Sequence, residues 1–397
     1  MYYIPMTSKE RVQAVYSLEI PDRVPTTELC VNHPVATRLL GRDAICGFGG
    51  YIRGKVQNTM LIEGRRDEFA EKFYRDTVEV NRILGFDVFQ FHFLPAKGPH
   101  TDIKNLGDNR WRVDGTDGRY AIYKWDPGTD FYGEVETSFD QDPEKELKIM
   151  IAELKKDPVA RMKPGEDEFF RKARAEFPGH FIWGCVGFGF PYSEDGIMSL
   201  IECPELWREY QELLCEKNKT AIDMQIALGA DAFWSGQDWA FKNGPMMSEA
   251  TFRQIFFEPF VEMMKYIHGK GLKFIHHTDG NIEQWEKMWF GEIGMDGYHA
   301  IEPSAGMDII ALRKRWPKIL LHGNLDCGNL LTMGTPAQIE EEVIRLVQGL
   351  APHSGWVFSS SNSIHSGVPI ENLNAMVKAI KKHGVYPIAS KPKPDQK

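Results

Sequence analysis

A chain of 397 residues is long enough for two ordinary domains or for one large α/β barrel with insertions. Its hydrophobic content of 42% suits a well-packed globular core, and its net charge of −9 argues against nucleic acid or an anionic membrane as a main partner. No uninterrupted apolar run approaches the ~20 residues that cross a bilayer, and the first residues show no signal peptide, so we expect a cytoplasmic protein. The six cysteines are scattered without a Cys-x-x-Cys pair, which predicts free thiols.

The amino-terminal part of the chain alternates between predicted helices and strands. A helix is predicted over residues 6–18, and the strand that follows ends in residues 27–30. A long amphipathic helix is predicted over residues 67–84, because its large apolar side chains recur on related faces. Residues 85–93 then form the next predicted strand.

Residues 101–140 differ from the rest of the chain in their pattern of polar and apolar residues. Alternating polar and apolar residues at 110–115 and 119–125 flank a turn with Asp117-Gly118, which predicts an antiparallel hairpin. Together with residues 133–139, the hairpin is expected to form a small three-stranded antiparallel sheet. We therefore expect residues 1–390 to form one barrel domain with residues 101–140 as a β insertion, followed by a flexible tail at 391–397.

After residue 140 the alternation of short apolar strands and helices resumes. Eight or so strand–helix units in series predict a (β/α)8 TIM barrel. The alternative is an open, doubly wound sheet, which the absence of a Gly-x-Gly-x-x-Gly motif after an early strand disfavours. The predicted helices cover residues 143–156, 204–228, 248–268, 336–347 and 370–382, and the strands cover residues 181–188, 232–236, 297–302, 319–326 and 356–362, with one more strand beginning at Phe274.

Nearly every predicted strand ends in a functional group, and in a barrel these ends converge on one mouth. His277 and Asp279 are two residues apart, so on an extended strand they point to the same side. An imidazole beside a carboxylate can hold a metal ion, relay a proton or bind a polar substrate. A structural role, in which Asp279 caps the next helix, is the alternative. The polar groups at the strand ends are Glu28, His92, Asp238, His277, Asp279, Glu302, Asn324, Asp326, Asn362 and His365.

Roles follow from residue type at these positions. We predict Asp279, Glu302 and Asp238 as catalytic acids and His277 with Asp279 as ligands of a metal ion such as zinc. Aromatic residues beside the strand ends, among them Tyr192 and Trp234, predict an aromatic cavity, although some of them are expected in the ordinary core. The predicted substrate-binding residues are Glu28, His92, Tyr192, Trp234, Asn324 and Asn362.

Several motifs resemble those of the uroporphyrinogen decarboxylase superfamily. They are Asp22-Arg23-Val24-Pro25, Gly236-Gln237-Asp238, His277-Thr278-Asp279-Gly280-Asn281, Gly323-Asn324-Leu325-Asp326 and the closing run from Ser359 to Asn372. The resemblance extends over essentially the whole chain. It implies the barrel independently of the strand count.

The chain departs from the decarboxylases themselves in one important place. They resemble one another in an arginine-rich segment after the first strand, which grips the carboxylates of the substrate. Here that place holds Thr26-Thr27-Glu28-Leu29-Cys30, and the decarboxylase histidine near the carboxyl terminus falls at Asn362. A carboxylate in place of an arginine clamp cannot bind a polyanionic porphyrinogen in the same way.

The other large branch of the superfamily consists of corrinoid-dependent methyltransferases. Those that act on thiols bind zinc through a His-x-Cys motif and a distant cysteine, whereas here Asp279 stands in the place of the first cysteine and the closing run has none. The sequence looks more like relatives that demethylate small methylated compounds such as aryl methyl ethers. The resemblance then implies cobalamin on a partner corrinoid protein, a small methylated substrate and, for some relatives, zinc. A homodimer is allowed, and neither nucleic acid nor a membrane is expected as a partner.

Two other functions stay open on the sequence alone. A decarboxylase or lyase of a smaller carboxylate would need a cationic pocket, for which Arg23 with Lys242 is a candidate pair. A ligand-binding or scaffold barrel without catalysis would bind its ligand through His277 or Asp279 and turn nothing over.

Overall fold

The computed structural model describes residues 5–90, 92–115 and 117–388 and shows the predicted (β/α)8 barrel with an additional antiparallel sheet. The predicted tail at 391–397 and Phe91 lie outside the described residues. The strands are β1 Val88–Gln90, β2 Ile103–Gly107, β3 Arg110–Asp114, β4 Tyr120–Asp126, β5 Phe131–Thr137, β6 Phe181–Cys185, β7 Ala232–Gly236, β8 Ala240–Phe241, β9 Gly244–Pro245, β10 Phe274–Thr278, β11 Gly297–Ala300, β12 Leu320–His322 and β13 Trp356–Val357.

Seven of these strands form one parallel sheet in the order β1-β6-β7-β10-β11-β12-β13. Residues 25–27 supply the eighth strand and close the barrel between β13 and β1. The amide of Thr27 donates to the carbonyl of Phe358, at 3.0 Å, on one side. On the other side the amide of Asp87 donates to the carbonyl of Thr26, at 2.7 Å. A closed ring leaves no edge strand and brings the carboxyl ends of all the strands to one mouth.

The helices surround the barrel and follow the sequence pattern closely. The amphipathic helix predicted over residues 67–84 is α4, and the helix predicted over 143–156 is α5. The helix predicted over 248–268 is divided in two at Phe256, which ends one helix and begins the next. The helices are α1 Ser8–Tyr16, α2 His33–Leu40, α3 Asn58–Ile62, α4 Arg66–Leu84, α5 Pro143–Lys156, α6 Glu168–Glu176, α7 Glu194–Glu202, α8 Pro204–Ala227, α9 Glu249–Ile255, α10 Phe257–Gly269, α11 Ile309–Arg315, α12 Leu330–Met333, α13 Pro336–Leu350 and α14 Ile370–His383, with π-helical turns at Tyr51–Gln57 and Lys287–Ile293.

Helix α1 closes the end of the barrel opposite the mouth. Thr7 caps it through a capping box with Glu10, in which each residue's side chain accepts from the other's backbone amide. Val12, Val15 and Tyr16 of this helix pack against the inward-facing side chains of the strands, including Ile275. The mouth is therefore the open end of the barrel.

The insertion is a four-stranded antiparallel sheet in the order β2-β3-β4-β5. It has one strand more than the predicted three-stranded sheet. Strand β2, at residues 103–107, is the additional strand. Asp130, between β4 and β5, anchors the sheet to the body of the protein: it accepts from the amide of Gly50 through its backbone carbonyl and from the amide of Tyr51 through its carboxylate, each at 2.7 Å. The sheet thus adjoins the π-helical turn beside the mouth.

No helix among the described residues combines the length and the apolar character that a membrane crossing requires.

A buried carboxylate holds the closed end of the barrel together. Asp87 is fully buried and accepts from Arg11 Nη1 at 2.7 Å and from both terminal nitrogens of Arg23, at 2.7 and 2.8 Å. It also accepts from the backbone amide of Thr26, at 2.9 Å. Because Thr26 belongs to the closing strand, these bonds connect the closing strand to β1 and to α1.

We expect Asp87→Asn to lower the free energy of unfolding by about 3 kcal/mol, because it removes the buried carboxylate that pairs with Arg23 and leaves Arg11 with Asp22 alone. Urea unfolding followed by tryptophan fluorescence measures the change. Asp67→Asn is the matched control, since the Asp67 side chain is 79% exposed and also pairs with an arginine. Its effect should stay within about 0.5 kcal/mol, and an equal effect of both substitutions would contradict the role of Asp87.

Candidate active site

The polar residues at the mouth are placed by the two-residue period of the strands. On β10, Ile275 and His277 face the barrel interior, while His276 points outward and packs against Trp289, with 4.9 Å between ring centroids. His277 lies opposite His299 in the register of β10 and β11. The interior therefore changes from aliphatic near α1 to imidazole near the mouth.

His277, Asp279 and Asp238 form a compact group at the mouth. His277 Nε2 lies 3.7 Å from Asp279 Oδ1 and 3.8 Å from Asp238 Oδ1. One ligand atom from each of the three residues lies within 4.8 Å of the other two. His277 is buried, whereas the two carboxylates are partly open to the mouth.

Neighbouring loops hold the carboxylates in place. The side-chain amide of Asn362 donates to both carboxylate oxygens of Asp279, at 2.8 and 2.7 Å. The backbone amide of Asp279 donates to Asp238 Oδ1 at 2.9 Å, and that of Gly280 donates to Glu302 Oε2 at 3.0 Å. Glu302 thus braces the loop that carries Asp279.

Burial and neighbouring charge change the protonation of this group. Burial raises the pKa of Asp279 to about 7, with further increases from the nearby carboxylates of Asp238 and Glu302 and an opposing effect of the Asn362 hydrogen bonds. Burial lowers the pKa of His277, and the same two carboxylates oppose the decrease. A carboxyl group with a pKa near neutrality can give and take a proton at physiological pH.

A second histidine supports His277 from inside the barrel. His277 Nδ1 and His299 Nδ1 are 2.7 Å apart, which is a hydrogen-bond distance. Burial, together with His277 and His322, holds the pKa of His299 well below its ordinary value, so this ring is neutral. Further in, His322 Nε2 lies 3.2 Å from the hydroxyl of Tyr16.

The three-residue group fits a divalent metal ion. A tetrahedral ion with bonds of roughly 2.1 Å keeps its ligand atoms roughly 3.4 Å apart. The two distances from His277 Nε2 are close to this value and too long for hydrogen bonds. One imidazole nitrogen and two carboxylates form a donor set that zinc accepts, as do other divalent transition metals.

An aromatic cleft of about 660 Å³ opens directly beside this group. His277, Gly236 and Trp234 form its inner end, and Arg53 lies on its wall. The other side chains that line it come mainly from residues 47–61, from residues 92–95 and from the start of the insertion, and include Phe48, Ile52, Leu61, Phe69, Phe73, His92, Phe93, His100 and Ile103.

The structure brings some of the predicted substrate-binding residues to the cleft and others elsewhere. His92 and Trp234 line the cleft. Tyr192 stands at the rim, where its hydroxyl accepts from the backbone amide of Asp238 at 3.2 Å. Asn362 contacts Asp279 as described above.

Glu28 and Asn324 are not among the residues that line the cleft. Glu28 is buried and accepts from the amide and the hydroxyl of Ser360, at 2.8 and 2.6 Å, and burial raises its pKa to about 8. The side-chain amide of Asn324 donates to the carbonyl of Ile301 at 2.7 Å. Their predicted contact with substrate stays a prediction. Asp326, the remaining carboxylate, accepts from the amides of Gly328 and Asn329 and shapes a turn.

Sequence reasoning missed His299 and the phenylalanines of the cleft wall. His299 had a detectable signal, because it is a polar residue within the short apolar strand that precedes Glu302. Phe48, Phe69 and Phe73 had no detectable signal in the sequence, since apolar residues on a glycine-rich loop and an amphipathic helix look like ordinary core residues.

Comparisons with known proteins agree with this fold. A sequence model of the family described as "Uroporphyrinogen decarboxylase (URO-D)" matches residues 193–383. Among curated proteins, the chain is similar to a uroporphyrinogen decarboxylase of Coxiella burnetii, with 24% identity over 191 residues, which is 47% of this chain and 50% of that protein. It is also similar to that of Shigella dysenteriae, with 33% identity over 166 residues, which is 40% of this chain and 43% of that protein. The chain thus spans about half the length of the curated relatives it matches.

A solved structure is similar over nearly the whole chain. It is a "methyltransferase from Methanosarcina mazei", which aligns with a TM-score of 0.61 and 15% identity and covers 95% of this chain and 99% of that one. At this identity the similarity establishes the barrel fold. Fold and site together define a barrel protein with a histidine–carboxylate centre, and residues 193–383 are similar to the uroporphyrinogen decarboxylase family.

The donor set predicts stoichiometric metal binding. We expect the purified protein to bind about one zinc ion per chain and His277→Ala, Asp279→Ala and Asp238→Ala each to lower the zinc affinity by at least tenfold, because each removes one of three ligands. Titration against a chromogenic chelator measures the stoichiometry and the affinity of zinc binding. Asp326→Ala is the control, as it removes a strand-end carboxylate that serves a turn. Equal affinity in all variants would exclude this centre as the site.

The raised pKa of Asp279 predicts a pH-dependent stability in metal-free protein. Because the folded-state pKa lies above the ordinary value of 3.8, this group contributes stability below pH 4 that is lost as pH rises through about 7. The stability of Asp279→Asn does not fall in this way, because an amide does not ionise. Since the side chain is 34% exposed, we expect the variant to gain about 1 kcal/mol over the wild type between pH 5 and pH 8. Urea unfolding at several pH values tests this, and a pH-independent difference would contradict it.

Proposed function

We propose that this protein is a methyltransferase that moves a methyl group from a small methylated compound, in our view an aryl methyl ether, to the cobalt(I) of a corrinoid protein. The observation that carries the proposal is the aromatic cleft that ends on His277 beside the carboxylates of Asp279 and Asp238. The match of residues 193–383 to the family model and the similarity of the fold to a methyltransferase support it.

The cleft suits the ring of an aryl ether. Trp234 forms its inner end with its ring centroid 5.4 Å from that of His277, so a ring lying against Trp234 would present its substituent to the centre. The surrounding phenylalanines contribute apolar surface and edge-to-face contacts. The cleft is open at the mouth, which leaves the approach that a methyl acceptor requires.

The centre suits the departure of a phenolic oxygen. When the methyl carbon bonds to cobalt(I), the carbon–oxygen bond breaks and its electron pair stays on the oxygen, which must be protonated or bound to a Lewis acid. Asp279 can supply the proton, because its pKa lies near 7. A divalent ion on His277, Asp279 and Asp238 would supply Lewis acidity at the same place. Glu302 and Asn362 hold the loop and the carboxylate of Asp279 in position.

A decarboxylase of a small carboxylate is the second candidate. The family model and the curated relatives favour it, and so does Arg53, the one arginine or lysine among the described residues that line the cleft. The cation pair expected from the sequence is wrong for this purpose. Arg23 is engaged with Asp87 at the closed end of the barrel, and Lys242 lies exposed in the turn between β8 and β9.

The proposal is tested with zinc-loaded protein, free cob(I)alamin as the acceptor and 2-methoxyphenol as the donor. We expect cob(I)alamin to be converted to methylcobalamin, followed by its absorption spectrum, with catechol formed in equal amount. Asp279→Ala should lower the rate by at least a hundredfold, because it removes a ligand of the ion that would act as the Lewis acid or, in protein without the ion, the positioned acid, which contributes about 10²–10⁴. Trp234→Ala should raise KM more than it lowers kcat.

Other outcomes would identify the alternatives. Turnover of methylamines or methylated thiols alone would refute the ether as donor. Release of carbon dioxide from an aromatic carboxylate, without methyl transfer, would favour the decarboxylase. Asp326→Ala again serves as the control and should keep the wild-type rate. Ligand binding that His277→Ala abolishes, without turnover of any donor, would favour a binding protein.

A further inference from the structure

Arg53 has no counterion within the part of the chain that the structure describes. Arg53 and Arg82 are the two arginines whose side chains make neither an ion pair nor a hydrogen bond to a described residue, so no described carboxylate lies within 4.0 Å of either guanidinium. Arg82 lies exposed in the last turn of α4, where a positive charge suits the end of a helix. Arg53 instead lines the aromatic cleft, so its free charge is available to a ligand there.

Gln57 provides a second free donor beside Arg53. The two residues are four positions apart in the π-helical turn Tyr51–Gln57, and both line the cleft. Side chains at this spacing lie on the same side of a helical turn. Like Arg53, Gln57 has no side-chain hydrogen bond to another described residue. A guanidinium and a side-chain amide together can donate to both oxygens of a carboxylate.

The insertion holds this turn in position from both ends. At the start of the turn, the ring of Tyr51 packs edge-to-face against Trp125 of β4, with 5.6 Å between ring centroids. Directly after the turn, the side-chain amide of Asn58 donates to the hydroxyl of Tyr132 in β5, at 2.8 Å. The backbone that carries Arg53 is therefore fixed relative to the cleft before any ligand binds.

The remainder of the cleft wall suits a flat apolar ligand. The ring centroid of Phe48 lies 6.0 Å from the guanidinium carbon of Arg53, at the limit of a cation–π contact. The other described residues that line the cleft include no carboxylate and no further arginine or lysine. A volume of about 660 Å³ also leaves space for a substituent beyond a ring and its methoxy group. This combination fits an aromatic ring that carries one negative charge.

We propose that Arg53 and Gln57 form a carboxylate-binding subsite, which selects aryl methyl ethers that carry a carboxylate on the ring. Trp234 and His277 at the inner end of the cleft receive the methoxy group, while Arg53 holds the carboxylate, which stays intact in the reaction. Holding the ring at two points orients the ether before its carbon–oxygen bond breaks. The inference rests on the proposed function for the ether, whereas binding of the carboxylate requires no methyl transfer.

Two ligands and three variants test the subsite. The ligand 4-hydroxy-3-methoxybenzoate carries the carboxylate, and 4-hydroxy-3-methoxybenzamide has the same ring and methoxy group without the charge. Arg53→Gln removes the guanidinium, and Arg53→Lys keeps the charge but loses the planar pair of donors. Arg82→Gln is the matched control, because it makes the same exchange at the other unpaired arginine, which does not line the cleft.

The first measurement is binding of each ligand to zinc-loaded protein by calorimetry, without cobalamin. We expect the wild type and Arg82→Gln to bind the acid about 10- to 100-fold more tightly than the amide, because hydrogen bonds to a charged group are the stronger ones. Arg53→Gln should lose this preference by binding the acid more weakly, and Arg53→Lys should keep part of it. Equal affinity of the wild type for both ligands, or a preference for the acid that persists in Arg53→Gln, would overturn the subsite.

The second measurement is turnover of both donors with cob(I)alamin as the acceptor. Arg53→Gln should raise KM for the acid about tenfold or more and leave KM for the amide and for cob(I)alamin within about threefold of the wild type. A raised KM for cob(I)alamin with both donors would assign Arg53 to the phosphodiester of the acceptor and overturn the inference. Release of carbon dioxide from the acid would overturn it as well. Binding of the acid through Arg53 without turnover of either donor would refute methyl transfer from an ether and uphold the subsite.

Discussion

Closure of the barrel at residues 25–27 is the constraint on which the rest of the structure depends. The closing strand is short, and it is held by its bonds to the backbones of Phe358 and Asp87 and by the Asp87 carboxylate, which also binds Arg11 and Arg23. A ring of parallel strands has a single mouth, so strand ends that lie far apart in the chain meet there. His277 and Asn362 reach the same centre for this reason, although 85 positions separate them in the sequence.

The site combines two parts with different origins. The barrel supplies the histidine and carboxylates on strand ends, where hydrogen bonds to neighbouring strands restrict movement. The aromatic wall comes from the segment at 47–61 and from residues near the insertion. Within the aromatic wall, glycines allow the segment at 47–61 and the insertion to approach closely: a Cβ on Gly49 would lie 2.3 Å from Asp130 Oδ2, and one on Gly50 would lie 2.5 Å from the ring of Trp125. Side chains at these positions would separate the insertion from the π-helical turn that carries Arg53.

Much of the fold was accessible from the amino-acid pattern, because short apolar strands and amphipathic helices differ in period. Helices α4, α5 and α8 begin and end within a residue of their predicted bounds. The break at Phe256 was not accessible, since the apolar pattern continues across it. At the site, the pairing of His277 with Asp279 followed from their two-residue spacing. The contact of His277 with His299 did not, because it depends on the register of two strands that no local pattern specifies.

The sequence by itself determined the type of barrel, the set of polar groups at its strand ends and the absence of cysteine from the positions where thiol-type relatives bind zinc. These are properties of local period and residue identity, which do not depend on distant contacts. Only the tertiary structure decided which strand-end groups face the cleft. Glu28 and Asn324 hydrogen-bond to a buried serine and a buried carbonyl group, while Asp238, His277 and Asp279 converge. The reason is that a side chain's direction at a strand end is set by the loop that follows and by the hydrogen bonds its neighbours need, and both are fixed only when the barrel is closed.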